Sequence, residues 1–247
     1  MAETFEQFCA ESCEEVSSLQ IEFIKLYDLN GYEHWFFDDA LGVFEFKSDD
    51  GRQLFFKYSL VGSFSANTST WKWSWDNEHL TARERKAIHS VKEYGESKGY
   101  SQLTTGLVPG DEYTGWDMTS ICAKMMNAMG VYRFTQEHLT YYVVFHAELT
   151  KDRYDDLKDK IVTCASHGTA RAAFVCQHLN KDTYTGFHEP FESDPLIEQE
   201  DDLQAWCDEC EKKRREEGEW NEVSEAFAKI RLVCEHCFFE MKRRNSD

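Results

Sequence analysis

The sequence has no apolar run long enough to cross a lipid bilayer, because every stretch of about 18 residues contains a charged side chain. Its first residues are acidic and lack the basic and apolar regions of a secretory signal. These two absences argue against a membrane protein and against an exported one. The sequence therefore predicts a protein that stays in the cytoplasm.

Motifs of the common enzyme classes are also missing. The sequence contains no Gly-x-Ser-x-Gly, no phosphate-binding glycine loop and no His-Glu-x-x-His. The cytidine deaminase signature requires Pro before a Cys-x-x-Cys pair and a His-x-Glu upstream. Neither Cys pair is preceded by Pro, and no His-x-Glu lies upstream in the right place. Cys164 and His167 are three residues apart in a predicted loop, and that spacing alone does not indicate a nucleophile and its base. The prediction is a protein that is not an enzyme.

Basic residues are scarce, with 27 Lys and Arg against 46 Asp and Glu, which gives a net charge of -19. Such a surface repels nucleic acid and attracts basic proteins, although acidity can also serve solubility alone. The basic run 212–215 is surrounded by glutamates, which is typical of a solvated helix face. We expect a protein partner and no membrane partner. The predicted partner-binding residues are Asp38, Asp39, Asp49, Asp50, Glu198, Glu200, Asp201 and Asp202.

What is present indicates an α+β fold in two domains. A hydrophobic content of 41% and an aromatic content of 15% are typical of a folded chain. Residues 1–150 predict an antiparallel β-meander with packed helices, and residues 160–247 predict a small zinc-ribbon-like domain. Residues 150–160 are a highly charged boundary, which we interpret as a helix.

In the first domain, hydrophobic periodicity predicts helices over 3–27 and 115–129, and a third after the capping box Thr81-Ala82-Arg83-Glu84. Alternating residues predict strands within 34–76, joined by a hairpin turn at 48–51, and a closing strand at 141–145. Residues 102–108 are a further candidate strand. The tryptophans Trp71, Trp73 and Trp75 share one strand face, which favours a place in the core over a ligand platform.

In the second domain, a strand is predicted at 172–175 and helices near 207–217 and 221–231. This domain carries the strongest chemical signal, the pairs Cys207-x-x-Cys210 and Cys234-x-x-Cys237. Two thiolates on one turn can reach one ion, and a second pair completes the tetrahedral set of a structural zinc site. The alternative is that these are free buried thiols. With no export signal, a disulfide framework is not expected.

The exact ligand set stays open, because Cys176, His178 and His236 are additional candidates near the two pairs. A set in which Cys176 or His178 replaces one thiolate is the second choice after the four thiolates. Cys9, Cys13 and Cys122 fall on apolar helical positions, and we interpret them as small buried hydrophobic residues.

Two resemblances extend this interpretation. The segment Trp71-Lys72-Trp73-Ser74-Trp75-Asp76-Asn77 and the later Gly130-Val131-Tyr132-Arg133 resemble an uncharacterised bacterial family with a Trp-x-Trp strand motif and a Tyr-Arg motif, over roughly residues 30–148. The Cys-x-His and the two Cys-x-x-Cys pairs together resemble a second bacterial module of unknown activity. That resemblance implies that Cys176 or His178 takes part in metal binding.

The second module is found near toxin–immunity loci, which implies an immunity protein. The sequence therefore predicts an acidic binding protein that neutralises a bacterial toxin by occluding it, with a structural Zn2+. Two alternatives remain. One is a zinc-ribbon regulator that binds nucleic acid or another protein, and the other is an unrecognised metal-dependent hydrolase.

Overall fold

The computed structural model describes residues 3–76, 82–194 and 202–246. The chain forms two compact units, residues 1–154 (unit 1) and residues 155–247 (unit 2). The division falls inside a helix, Lys151–Asp159, which occupies the segment predicted as a boundary helix. Both units mix helices with strands, so the predicted α+β class is confirmed.

Unit 1 begins with the long helix α1, Phe5–Tyr27. Thr4 caps it, because its side chain accepts from the backbone of Gln7 while the Gln7 side chain accepts from the backbone of Thr4. The helix ends at Asp28, which takes the left-handed conformation. Its apolar face buries Phe8 and Phe23, among others, against the rest of the unit.

The sheet of unit 1 has seven strands, all paired in antiparallel fashion. They are β1 His34–Asp38, β2 Val43–Lys47, β3 Gln53–Ser65, β4 Thr70–Trp73, β5 Leu107–Pro109, β6 Gly130–Gln136 and β7 Leu139–Leu149. The long strand β3 pairs with β2 along its first half and with β4 along its second, while β7 lies along its other edge. Two register shifts between β3 and β7 add twist, and the sheet curls.

The helices α2 (Ala82–Lys98), α3 (Ser101–Thr104) and α4 (Glu112–Met125) complete unit 1. The three tryptophans of the Trp-x-Trp-x-Trp segment are all buried in the core. Trp73 and Trp75 stack with their ring centroids 4.5 Å apart, although Trp75 lies in a helical turn after the strand. The predicted cap residue Thr81 lies outside the described residues.

Two expectations for unit 1 need correction, and one strand was missed. Residues 101–104 are helical, so only the end of the predicted strand 102–108 is extended. Strand β7 lies between β3 and β6, so it is interior to the sheet and does not close it. Strand β6 pairs with β7 along its whole length and was not predicted, because its alternation is interrupted by Arg133 and by polar residues at its end.

The helix Lys151–Asp159, which crosses the division, is α5. The described residues of unit 2 form four strands and three further helices. The strands are β8 Ile161–Cys164, β9 Gly168–Val175, β10 Leu203–Ala205 and β11 Arg231–Cys234, and the further helices are α6 Asp208–Glu217, α7 Glu222–Ala228 and α8 Glu235–Asn245. β8 forms a hairpin with the first half of β9. β10 runs parallel and β11 antiparallel to its second half.

The core of unit 2 is small and includes cysteines beside the apolar residues Leu179, Phe238 and Met241. A core of this size gives limited hydrophobic stabilisation, and small units of this kind often depend on a metal or a disulfide. Among the described residues, no helix combines the length and the apolar character that crossing a bilayer requires.

Candidate metal centres

The first candidate centre in unit 2 consists of Cys164, His167, Cys234 and Cys237. Cys164 ends β8 and His167 lies in the turn that leads into β9. Cys234 ends β11 and caps α8, whose first turn carries Cys237. A hairpin turn and a helix N-terminus therefore each supply two ligand atoms.

The distances in this first centre are those of a tetrahedral site. The Nδ1 atom of His167 lies 3.4 Å from the Sγ of Cys234 and 3.4 Å from the Sγ of Cys237. The Sγ of Cys164 lies 3.7 Å from the same nitrogen and 3.9 Å from the Cys237 sulfur. Zinc bonds of about 2.3 Å to sulfur and about 2.0 Å to nitrogen separate neighbouring ligand atoms by roughly 3.5–3.8 Å in a tetrahedron.

The imidazole of His167 also has a carboxylate partner. Its Nε2 lies 3.4 Å from Oε1 of Glu240, which in turn forms an ion pair with Lys181. A carboxylate on the far nitrogen of a histidine fixes the ring orientation and makes the near nitrogen a better metal ligand. The arrangement around His167 is therefore that of a metal-binding histidine with its supporting acid.

The second centre has the same composition and consists of Cys176, His178, Cys207 and Cys210. Cys176 and His178 follow the end of β9, while Cys207 caps α6 and Cys210 lies in its first turn. The Nδ1 atom of His178 lies 3.2 Å from the Cys210 sulfur and 3.7 Å from the Cys207 sulfur. The three cysteines are buried.

The electrostatics of both centres favour a bound cation. Backbone N–H groups of Ser166 and His167 lower the pKa of Cys164 to about 6, whereas burial raises the pKa of Cys234 to about 12. In the second centre, Cys207 donates to Cys176 and lowers the pKa of the Cys176 thiol. The pKa of Cys207 is raised by the same hydrogen bond, and burial raises that of Cys210 to about 12.

Three clustered thiols cannot all ionise without compensation, since each new thiolate repels the others in a buried place. A divalent cation removes that penalty and holds the thiols deprotonated. The positive ends of α6 and α8 act in the same direction, because each helix begins at a cysteine of one centre.

The structure does not bring the two Cys-x-x-Cys pairs into one four-thiolate set, nor into one set in which Cys176 or His178 replaces a single thiolate. Each pair takes its own Cys and His partners, and Cys176 and His178 both join the pair Cys207 and Cys210. The two pairs begin two different helices, and their partners lie at opposite ends of strand β9. His236 belongs to neither centre, although its ring lies 5.4 Å from that of His167.

Cys164 and His167 were considered from the sequence only as a nucleophile and its base, and their place among the candidate metal ligands was missed. Their Cys-x-x-His spacing matches that of a two-ligand turn, and the β8–β9 hairpin gives that turn its shape. The missing information was the presence of β8, which the charged stretch before it concealed.

The predicted acidic residues of unit 1 lie at the two ends of strand β2. Asp38 and Asp39 lie at one end of β2, and Asp49 and Asp50 lie in the turn at its other end. Each accepts a local hydrogen bond, for example Asp49 from His34 at 2.8 Å.

Of the acidic candidates near residue 200, Glu198, Glu200 and Asp201 lie outside the described residues. Asp202 forms an ion pair with Lys160 at 2.8 Å. The described acidic candidates therefore all take part in local hydrogen bonds or ion pairs.

Comparison with known proteins gives one match. The model of a family of unknown function (DUF6882) matches residues 6–148, a range that ends before both metal centres. The resemblance noted for residues 30–148 lies inside this range. No curated protein and no solved structure matches the chain.

Proposed function

Because the chain belongs to a family of unknown function (DUF6882), matched over more than half its length, the function has to come from the site itself. We propose that the protein is a non-enzymatic binding protein whose unit 2 folds around two structural zinc ions. The observation that carries this proposal is that each centre offers one histidine nitrogen and three cysteine sulfurs, all within 4.8 Å of one another.

Zinc is the proposed metal because sulfur-rich tetrahedral sets with one imidazole favour it. A structural assignment follows from the number of ligands. Four protein ligands fill a tetrahedral ion, so neither centre keeps a position for a water or a substrate, as catalytic zinc does. Binding free energy at such a site is folding free energy, which suits a unit with a small core.

Metal analysis of single variants tests the two centres. We expect His167→Ala to remove at least one zinc ion per chain and to destabilise unit 2, and Cys207→Ala to do the same through the second centre. His236→Ala is the matched control, because His236 is exposed and next to the first centre without belonging to it. A purified wild-type chain whose unit 2 binds no zinc would overturn the proposal.

The partner we propose is a basic protein, in particular a bacterial toxin whose active surface this protein would occlude as an immunity protein. The net charge of -19 supports a basic partner, since complementary charge speeds association. The basic run on α6 does not favour nucleic acid, because Lys213, Arg214 and Arg215 all form ion pairs with glutamates of the same helix.

Co-expression with the product of the adjacent gene tests the immunity function. We expect the wild-type protein to abolish the toxicity of that product and to bind it less tightly as salt is raised. A variant with Asp49→Asn and Asp50→Asn tests whether the β2–β3 turn contributes. Toxicity that persists unchanged beside the wild-type protein would reject the immunity function and leave the zinc centres untouched.

A further inference from the structure

A third group of metal-binding side chains lies in unit 1, apart from the two zinc centres. It consists of Cys9 and Cys13 of α1 and Asp117 of α4. Cys9 is buried, and the other two residues are partly buried. Sequence reasoning assigned the two cysteines to the hydrophobic core, so their position beside a carboxylate is unexpected.

The geometry follows from the two helices. Residues four apart lie on the same face of a helix, so Cys9 and Cys13 point in one direction from α1. That face packs against α4 and meets Asp117, whose Oδ1 lies 3.5 Å from the Sγ of Cys13. The two sulfurs and the carboxylate oxygen all lie within 4.8 Å of one another.

These values fit one tetrahedral ion. A metal with bonds of about 2.3 Å to sulfur and about 2.0 Å to oxygen places a sulfur and an oxygen roughly 3.5 Å apart. Among the side chains that the structure describes, which exclude those of residues 82–87, no lysine or arginine forms an ion pair with Asp117. A hydrogen bond from a thiol to a carboxylate has a similar length, and the variant Asp117→Asn distinguishes that hydrogen bond from metal binding.

The group differs from the two centres of unit 2 in having three ligands. No further Cys, His, Asp or Glu among the described residues completes it. Cys13 lines a largely apolar groove of about 310 Å3 between α1 and α4, together with Ser120 and Trp116. Cys13 is the one of the three candidate ligands that lines this groove. Three protein ligands leave the fourth position of a tetrahedral ion to an exchangeable ligand.

We propose that Cys9, Cys13 and Asp117 bind a zinc-type divalent cation whose fourth position is filled by an exchangeable ligand. Two thiolates and one carboxylate compensate the charge of the ion, which releases the thiol protons to solvent on binding. This site is independent of the zinc centres in unit 2, and it can exist whether or not the protein binds a toxin.

Native mass spectrometry of the full chain counts the metal ions directly. We expect the double variant Cys9→Ala with Cys13→Ala to bind one zinc ion fewer than the wild type, with the ions of unit 2 retained. Cys122→Ala is the matched control, because Cys122 is a buried cysteine of α4 that belongs to no cluster, and it should leave the count unchanged.

The variant Asp117→Asn separates metal binding from a hydrogen bond. An asparagine oxygen still accepts from the Cys13 thiol, but a neutral amide is a poor zinc ligand. We therefore expect Asp117→Asn to lose the third ion or to weaken its affinity at least tenfold, measured by cobalt(II) titration. An unchanged count in the double variant, or an unchanged cobalt affinity in Asp117→Asn, would overturn the third site without affecting the two centres of unit 2.

Discussion

Glu211 is an acidic residue that the sequence places in a charged helix face, yet only 8% of it is exposed. Its carboxylate accepts from the Trp206 indole at 2.8 Å and from the guanidinium groups of Arg214 and Arg215. The hydrogen bond from Arg214 is the main reason why the pKa of Glu211 is held well below its usual range. Glu211 therefore links the start of α6, where Cys207 and Cys210 lie, to Trp206, which follows the end of β10.

We predict that Glu211→Gln lowers the free energy of unfolding of unit 2 by about 1–3 kcal/mol at neutral pH, because charged hydrogen bonds near the core are lost. The folded pKa lies below that of the unfolded chain, so this stabilisation is present at neutral pH and is lost on acidification. Urea denaturation of the zinc-loaded protein measures the change.

The control for Glu211 is Glu216→Gln on the same helix. Glu216 is exposed and lies 3.8 Å from Lys213, a distance at which an ion pair contributes little. Equal destabilisation by both variants would show that the burial of Glu211 is not what matters.

At this scale the sequence identified ligand types better than ligand sets. Cys-x-x-Cys spacing shows which two thiols share a turn, and all six predicted metal residues lie in the two centres. It does not show which other turn faces them, because that depends on how the strands beside β9 bring distant segments together. Cys164 and Cys237 are 73 residues apart, and their sulfurs are neighbours only in the folded chain.

Among the elements, the short helix α7 shows how one side chain can define a helix start. The Asn221 side chain accepts from the backbone N–H groups of Val223 and Ser224, and the Ser224 hydroxyl accepts from the Asn221 backbone. A seven-residue helix gains little from its own backbone hydrogen bonds, so its cap is a large share of its stability.

We predict that Asn221→Ala destabilises unit 2 by about 1 kcal/mol, whereas Asn221→Asp retains most of the wild-type stability. Asp keeps the accepting oxygen of the cap and removes the side-chain N–H that Asn221 donates to Glu217 at 3.4 Å, a long hydrogen bond that contributes little. Thermal melts followed by circular dichroism compare the three proteins. If Asp is as damaging as Ala, the cap does not explain the role of Asn221.

Long elements were predicted well and short ones poorly. The helix α1 and the turn before β3 follow from strong hydrophobic periodicity and from Gly51, whose φ of 92° suits a residue without a side chain. β11 spans four residues between two helices and was not predicted, since the predicted helix 221–231 ends at its first residue. Its extended conformation comes with its pairing to β9, a partner more than 50 residues earlier that no single-segment pattern can show.

For the whole molecule, the two units differ in what stabilises them. Unit 1 has a large core in which Trp71, Trp73, Tyr142 and several phenylalanines are almost completely buried. Unit 2 has a smaller core that contains many of its own candidate metal ligands. We therefore expect unit 2 to fold only with its metal bound, and unit 1 to stay folded without metal.

Chelation of the full-length protein tests this difference. Of the seven tryptophans, only Trp206 and Trp220 lie in unit 2, so their two indole N–H signals in a nuclear magnetic resonance spectrum report on it separately. We predict that excess EDTA at neutral pH collapses these two signals to unfolded positions while the signals of Trp71 and Trp73 stay dispersed, because binding free energy is folding free energy only in unit 2.

Added zinc should restore the two signals of unit 2, and EDTA saturated with zinc beforehand should have no effect. Acidification should act in the same direction as the chelator, since protons compete with the metal for the thiolates and the imidazoles. If all the signals collapse together, the units do not fold separately. If none of them moves after the metal has been removed, the centres do not stabilise unit 2, and the closed Cys and His sets must serve a purpose other than folding.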